Sequence, residues 1–574
     1  MKRTFSVCTI AGLVAILCSN TWAQPAKTAN SKKPAALKTI TLPSFPGYKG
    51  KLPVINQPVF PARTFNIKDF GAKADGIYLN SKSINNAIDA CSKAGGGTVI
   101  IPQGLWLTGP IVLQSNVNLH LEKNALVQFT NDFDQFPLVA SSFEGVAAYR
   151  CQSPVSATHA SNIAITGQGI FDGAGGSWRP QKKDKLTASE WKIKVASGGV
   201  LNEDKTMWYS SAKALKGETD KNIGKVIEGK PLADYEAIKD FLRPNFLRIY
   251  DCKNIILEGV TFQNSPAWNL HFLESEHITV KGVKVKNPWY GQNTDAIDLE
   301  SCKNAFLEDD VFDTGDDGIC IKSGRDEEGR KRGKPTENVI VNNCIVYHAH
   351  GGFVVGSEMS GGARNLFVSN CTFMGTDVGL RFKTKRGRGG VVENIYMANI
   401  DMKDIAGEAI LFDMYYDAKD PVPLAGEKVA EPKIETVPVT EATPQFQNFF
   451  ISNVVCHGAE KGIFIRGLPE MQVKNVNIEN CVLQSRTGMV CEEGKNIRLK
   501  NVKLLPSGTN PVMTVHNSSD ILLNEIYFPA NAALLMKING EKSDKIKLMN
   551  TDVSKAKKEV EFTGNAAATS YTKQ

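Results

Sequence analysis

The sequence predicts an all-β fold, a right-handed parallel β-helix with a short N-terminal capping helix and two long loop insertions. Three observations predict it. A short apolar-x-apolar segment opened by a polar residue recurs from residue 254 to about 545. An Asn holds the same register in most copies. A helical pattern lies just ahead of the first copies, where an open solenoid end would need cover.

Copies start at Asn254, His277, Asn304, Asn338, Asn365, Asn394, Asn448, Asn475, Asn496, Asp520 and Lys545. Their intervals are 21 to 29 residues, except 34 from Asn304 to Asn338 and 54 from Asn394 to Asn448, where insertions occur. Earlier copies begin at Asn116 and Asn162. A unit of roughly 25 residues holds about three short strands and three turns. One such coil cannot bury its inner face alone, so coils must stack with their strands parallel. A leucine-rich horseshoe is the rival solenoid, but its Leu-x-x-Leu-x-Leu signature is missing. The recurring Asn reads as a side-chain ladder at a bend, a structural device.

The elements follow in order. Residues 1–23 read as an export signal: Lys2 and Arg3, an apolar stretch over 5–17, then Thr21-Trp22-Ala23 before Gln24. The apolar run is too short to span a bilayer, and Leu17 before Cys18 fits a lipoprotein poorly. The mature protein is therefore expected in the periplasm or outside the cell, without membrane attachment. Residues 24–62, rich in Pro, Lys and Thr, read as a linker or strap. The β-helix is expected over 63–555. Residues 82–93 read as its capping helix, with apolar positions at 84, 87, 88 and 91, ended by Gly95-Gly96-Gly97. Insertions fall at about 175–242, with a helical Lys/Glu/Trp pattern, and at 416–446, a loop rich in Pro, Glu, Val and Thr. Irregular segments of that length are usually functional or disordered. Residues 556–574 read as a loose tail.

A net charge of +7 is small for this size and does not imply nucleic acid. Local charge says more. Arg381, Lys383, Lys385, Arg386 and Arg388 stand together with no acid among them, which suits an anionic substrate. The six basic residues of 322–334, mixed with Asp326, Glu327 and Glu328, read equally as a solvated surface. Ten cysteines lie beyond the signal, without CxxC or Cys/His metal spacing. They read as buried free thiols, and no metal or other cofactor is expected.

Four short motifs carry the chemistry: Asn293-Thr294-Asp295-Ala296-Ile297-Asp298, Thr314-Gly315-Asp316-Asp317-Gly318, His350-Gly351 and Arg381-Phe382-Lys383. Asp295, Asp316, His350 and Arg381 are separated by 21, 34 and 31 residues, one per coil, so a solenoid can line them along one groove. Gly315 and Gly318 are expected to bend the chain so that both Asp316 and Asp317 reach it. Clustered carboxylates raise one another's pKa. One of them then keeps a proton for a leaving oxygen while another activates water, as cleavage of a sugar acetal requires.

With these motifs in order, the chain resembles glycoside hydrolase family 28, the polygalacturonases and related pectin hydrolases, over roughly residues 64–530. Asp69-Phe-Gly-Ala-Lys-Ala-Asp-Gly, Gly95-Gly-Gly-Thr-Val-Ile-Ile-Pro, Gly167-Gln-Gly-Ile-Phe-Asp-Gly and Asn264-Ser-Pro-Ala-Trp-Asn-Leu-His also match. The resemblance implies inverting hydrolysis of α-1,4-galacturonosidic bonds. Asp295 and Asp317 would hold and activate water, Asp316 would be the general acid, and His350 would tune it, with His348 a nearby competitor. Arg381 and Lys383 would bind the galacturonate carboxylate by charge-assisted hydrogen bonds. Asn293 would contact the substrate or its neighbours, and Asp298 would be structural. Ala296, Ala349 and Phe382 depart from commoner residues without removing a functional group. The implied partner is a pectic polysaccharide or oligogalacturonide met by a monomer.

Retention of Arg381 and Lys383 argues against rhamnogalacturonan as substrate. The two insertions, together with the stretch from Ala349 to Gly362, which resembles exo-type bacterial members, favour exo action; endo action and hydrolysis of rhamnogalacturonan or xylogalacturonan remain alternatives. A different class, a β-helix lyase or a glycan-binding protein without catalysis, is also open. The lyase would need a Ca²⁺ site and a basic catalytic residue.

Overall fold

The computed structural model describes residues 36–222, 224–416 and 435–574. The expected export signal and residues 417–434 of the second insertion lie outside them.

The repeat becomes a stack of coils. One coil comprises Leu247–Tyr250, Lys253–Glu258 and Thr261–Gln263, and the next Leu270–Leu273, Glu276–Lys281 and Lys284–Lys286. All coil-to-coil pairing is parallel. The first strand of each coil joins a 14-stranded sheet running from Ile111–Val112 to Val560–Thr563. The other strands build a second sheet, in which Ala363–Met374 and Val391–Lys403 are single long strands. Register stacks like on like: Leu270, Ile297, Ile319, Phe353, Leu380 and Ile410 pair in series and are all fully buried. This column is the core that no single coil could close.

The Asn register marks a left-handed residue at a corner. Asn254, Asn304, Asn338 and Asn365 have φ between 56° and 60°, a conformation Asn tolerates better than most residues. Their amides hydrogen-bond from coil to coil: Asn338 Nδ2 donates to Asn304 Oδ1 at 3.0 Å, and Asn365 Nδ2 to Asn338 Oδ1 at 3.2 Å.

The cap forms as Ser81–Lys93, burying Ile84, Ala87, Ile88 and Cys91 against the first coils. Residues 36–62 form a strap. Leu37–Thr39 pairs antiparallel with Asn56–Pro58, and Phe45 and Ile55 pack on Phe306, Ile340 and Phe367, an apolar stripe on the outside of the solenoid. The first insertion folds into helices Ala188–Ala196, Ala212–Glu218 and Leu232–Glu236 with a three-stranded sheet. The C-terminus is not a loose tail. Val560–Thr563 and Tyr571–Lys573 pair with Met536–Asn539 and Asp544–Met549 and close a last coil. Its apolar alternation, Val560 and Phe562, is too short to register as a repeat. The ten cysteines of the described residues are free and buried.

The first-strand sheet changes character at its centre. Thr487–Glu492 mixes buried and half-buried residues, but Ile297–Glu300, Asp317–Lys322, Gly351–Val355 and Leu380–Lys383 are buried on both faces. Their outer face is walled. A hairpin, Leu138–Phe143 and Val146–Cys151, reaches over from an earlier coil. At its turn Glu144 pairs with Arg325 at 3.0 Å, and Ala147 N donates to Glu328 Oε1 at 2.8 Å. The result is a groove with a polar, enclosed floor.

Candidate active site

The turns entering four neighbouring strands place the motif residues. Asn293 and Asp295 precede Ile297–Glu300, Asp316 precedes Asp317–Lys322, His350 precedes Gly351–Val355, and Arg381 and Lys383 lie in Leu380–Lys383. The pairing Ile297 with Ile319 sets Asp295 beside Asp317, and the pairing Asp317 with Gly351 sets His350 beside Asp316. The residues dispersed over 295–383 thus meet at one end of the groove floor.

Gly315 and Gly318 act differently from expectation. Neither takes a positive φ. A Cβ at Gly315 would stand 2.6 Å from Trp289 O, and one at Gly318 would stand 2.6 Å from Val346 Cγ1. They permit close approach of neighbouring turns rather than an unusual bend.

Asp317 lies deepest. Its Oδ2 accepts from Lys383 Nζ at 2.7 Å and its Oδ1 from Arg381 Nη1 at 3.2 Å. Burial alone would raise its pKa, but Lys383, Arg381 and Lys322 outweigh burial and hold it far below the usual carboxylate range. Arg381 and Lys383 are therefore first the counter-ions of Asp317. Both also face the Tyr416 ring, at 5.9 and 5.1 Å from its centroid.

Asp295 behaves oppositely. Burial raises its pKa, and Asp316, Asp298 and Asp317 raise it further against Lys322. In the resting site it is Asp295, rather than Asp316, whose carboxyl favours the proton. Asp316 is lowered despite burial, chiefly by His350, whose Nδ1 lies 3.2 Å from Asp316 Oδ1. His350 is raised in return: burial lowers it, but Asp316 and Asp377 outweigh that. Asp316 and His350 retain 19% and 27% of their side-chain exposure and so form the open side of the cluster. His348 is elsewhere, exposed and paired with Asp313 at 2.9 Å. Asn293 sits at the rim, its Oδ1 accepting from Arg243 Nη2 at 3.0 Å.

Sequence reasoning missed Lys322. It is buried, with Nζ 3.5 Å from Asp295, 3.6 Å from Asp298 and 3.2 Å from Glu358, and 4.6 Å from the centre of the Trp268 ring. Counted with a surface cluster, it is instead the central cation of the floor. The available signal was its place ending the apolar run Ile319-Cys320-Ile321. Asp298, expected to be structural, has no hydrogen-bond partner on either oxygen. Burial pushes it up to about 8, with Lys322 opposing and Asp317, Asp316 and Glu300 adding. Its carboxyl thus favours the proton.

Ligand atoms of Asp295, Asp317 and Cys320 lie within 4.8 Å of one another. That set suits a cation poorly, because Lys383 and Arg381 already neutralise Asp317 and burial strongly raises the Cys320 thiol. It suits water better: one molecule at about 2.8 Å from each of two oxygens bridges up to about 5.6 Å.

Comparison with known proteins agrees. Residues 236–482 match glycosyl hydrolases family 28, and residues 64–217 match rhamnogalacturonase A/epimerase, pectate lyase-like proteins. A probable polygalacturonase of Vitis vinifera is 28% identical over 422 residues, covering 70% of this chain and 75% of that protein. An exo-poly-alpha-D-galacturonosidase of Dickeya chrysanthemi is 27% identical, covering 62% of this chain and 57% of that one. Among solved structures, the hyperthermoactive exopolygalacturonase from Thermotoga maritima superposes with a TM-score of 0.63 at 32% identity, over 78% of this chain and 93% of that one. The chain belongs to glycosyl hydrolases family 28. It is a glycoside hydrolase on a right-handed parallel β-helix.

Proposed function

We propose that this protein hydrolyses α-1,4-galacturonosidic bonds of polygalacturonate, releasing units from a chain end with inversion. The observation that carries the reading is the pair Asp295 and Asp317, with carboxylate oxygens within 4.8 Å of each other, a separation one water can bridge, and with Lys383 and Arg381 holding Asp317 ionised. Asp317 is the base, Asp295 orients the water, and Asp316 with His350 shares the proton given to the leaving oxygen. Spare donors of Lys383 and Arg381 meet the sugar carboxylate. Since three carboxylates interact closely, they titrate as a set.

Exo action is favoured by the names of the Dickeya and Thermotoga relatives and by the folded insertion beside the groove. Export is supported by the pattern of residues 1–23, and a mature N-terminus at Gln24 is the expected finding. The test is the time course on polygalacturonate, with the product anomer read by NMR. Mono- or digalacturonate from the first minutes, in the β form, is expected. Early mixed oligomers overturn exo action, and retention overturns the roles. Asp316→Asn should lose about 10²- to 10⁴-fold in rate.

A further inference from the structure

A cleft of about 580 Å³ adjoins the catalytic turns on the side of the earlier coils, bordered by Gln128, Thr130, Asn131, Arg179, Asn264 and Tyr290. Arg179 opens the first insertion and Arg243 closes it. Both are buried, at 6% and 7% exposure, and among the described residues neither has a carboxylate within ion-pair distance. Arg243 donates to the carbonyls of Pro266 and Gln292 and to Asn293. Arg179 donates from Nη1 to Ser265 O. Its other nitrogens meet no protein acceptor among the described residues, and it lines the cleft.

A buried guanidinium without an anion is costly. Burial, with the repulsion of Arg243, draws the Arg179 pKa down to about 10 against the weaker pull of Tyr290 and of Asp172, which forms no ion pair with it. Burial lowers Arg243 as well, against the pull of Glu144, Glu218 and, more weakly, Asp316 of the catalytic cluster. The planar fork of Arg179 matches a carboxylate, and the rest of the lining mixes amides, hydroxyls and a tyrosine, which suit sugar hydroxyls, with Leu107, Phe129 and Pro288, which suit the apolar face of a sugar ring.

We infer that this cleft is a second uronate site, in which Arg179 receives the carboxylate of a galacturonate unit other than the one beside Lys383. The inference rests on the proposed reaction for the identity of the sugar. On this reading the first insertion supplies the cation that makes the groove read acidity in two successive places.

The test uses the full chain carrying Asp316→Asn, titrated calorimetrically with trigalacturonate and with its methyl ester. Adding Arg179→Gln should weaken binding of the free acid about 10- to 100-fold and shrink the preference for acid over ester. Asn131→Asp, an exposed change at the cleft mouth, should weaken acid binding in the same direction. Unchanged affinity and preference in both variants overturn the inference, and if Arg179→Gln fails to fold, Asn131→Asp decides alone. If wild-type protein does not cut polygalacturonate while binding still depends on Arg179, the hydrolase reading falls and the uronate site stands.

Discussion

Lys383 Nζ lies 2.7 Å from Asp317 Oδ2, and both groups are almost wholly buried. The two residues are 66 positions apart and belong to strands two steps apart in one parallel sheet. The pair explains how a carboxylate at the bottom of a groove stays ionised. It also sets a cost: either partner without the other is an uncompensated buried charge.

Asp317→Asn should therefore abolish turnover and also destabilise the fold, by about 3–5 kcal/mol as for a broken buried pair. Activity on polygalacturonate and the thermal melt check it together. Because Asp317 is held below its unfolded pKa of about 3.9, its stabilisation is present above that pH and is lost only as pH falls through the depressed folded value. Acid titration should show wild type and variant converging in stability at low pH.

Lys322→Met should leave Asp295, Asp298 and Glu358 without their shared cation. Glu358, held down to about 2 against burial by Lys322, Arg388 and Lys383, should rise. Asp298, already at about 8, should rise further. The expected readout is a loss of about 10- to 100-fold in kcat with the acid limb of the pH profile moved to higher pH. Lys322→Arg should restore part of both.

His350→Gln should remove the alkaline limb of the pH–rate profile. The His350 pKa is raised in the folded protein, so its attraction to Asp316 is complete below about pH 6.5 and disappears as pH rises through the raised value. Wild-type activity should fall over that window. The variant should be slower throughout and flat there, and an unshifted alkaline limb would contradict the shared proton.

Asn338→Val separates architecture from chemistry. Asn338 has φ 60° and hydrogen-bonds to coils on both sides. A β-branched residue there is strained and breaks the ladder, for a loss of about 2–3 kcal/mol. Melting should move while kcat on the folded protein does not.

Repeats and motif spacing were readable in order along the chain. The 21-, 34- and 31-residue gaps from Asp295 to Arg381 place one motif per coil, since a solenoid turns sequence distance into axial steps. The same logic located the capping helix with its buried positions 84, 87, 88 and 91. It could not show which side chains share a charge. Lys322, Glu358 and Arg179 come from strand, turn and insertion, and their partners depend on coil-to-coil register and on walls that cross several coils.

Period and composition by themselves determined the stacked coils and the line of acids along one face, because each coil must bury its apolar positions against the next. Only the folded groove decided which acid is charged. Asp317 sits between two cations and Asp295 among other carboxylates. Ionisation follows burial and distances of a few ångströms, quantities that a linear order of residues does not contain.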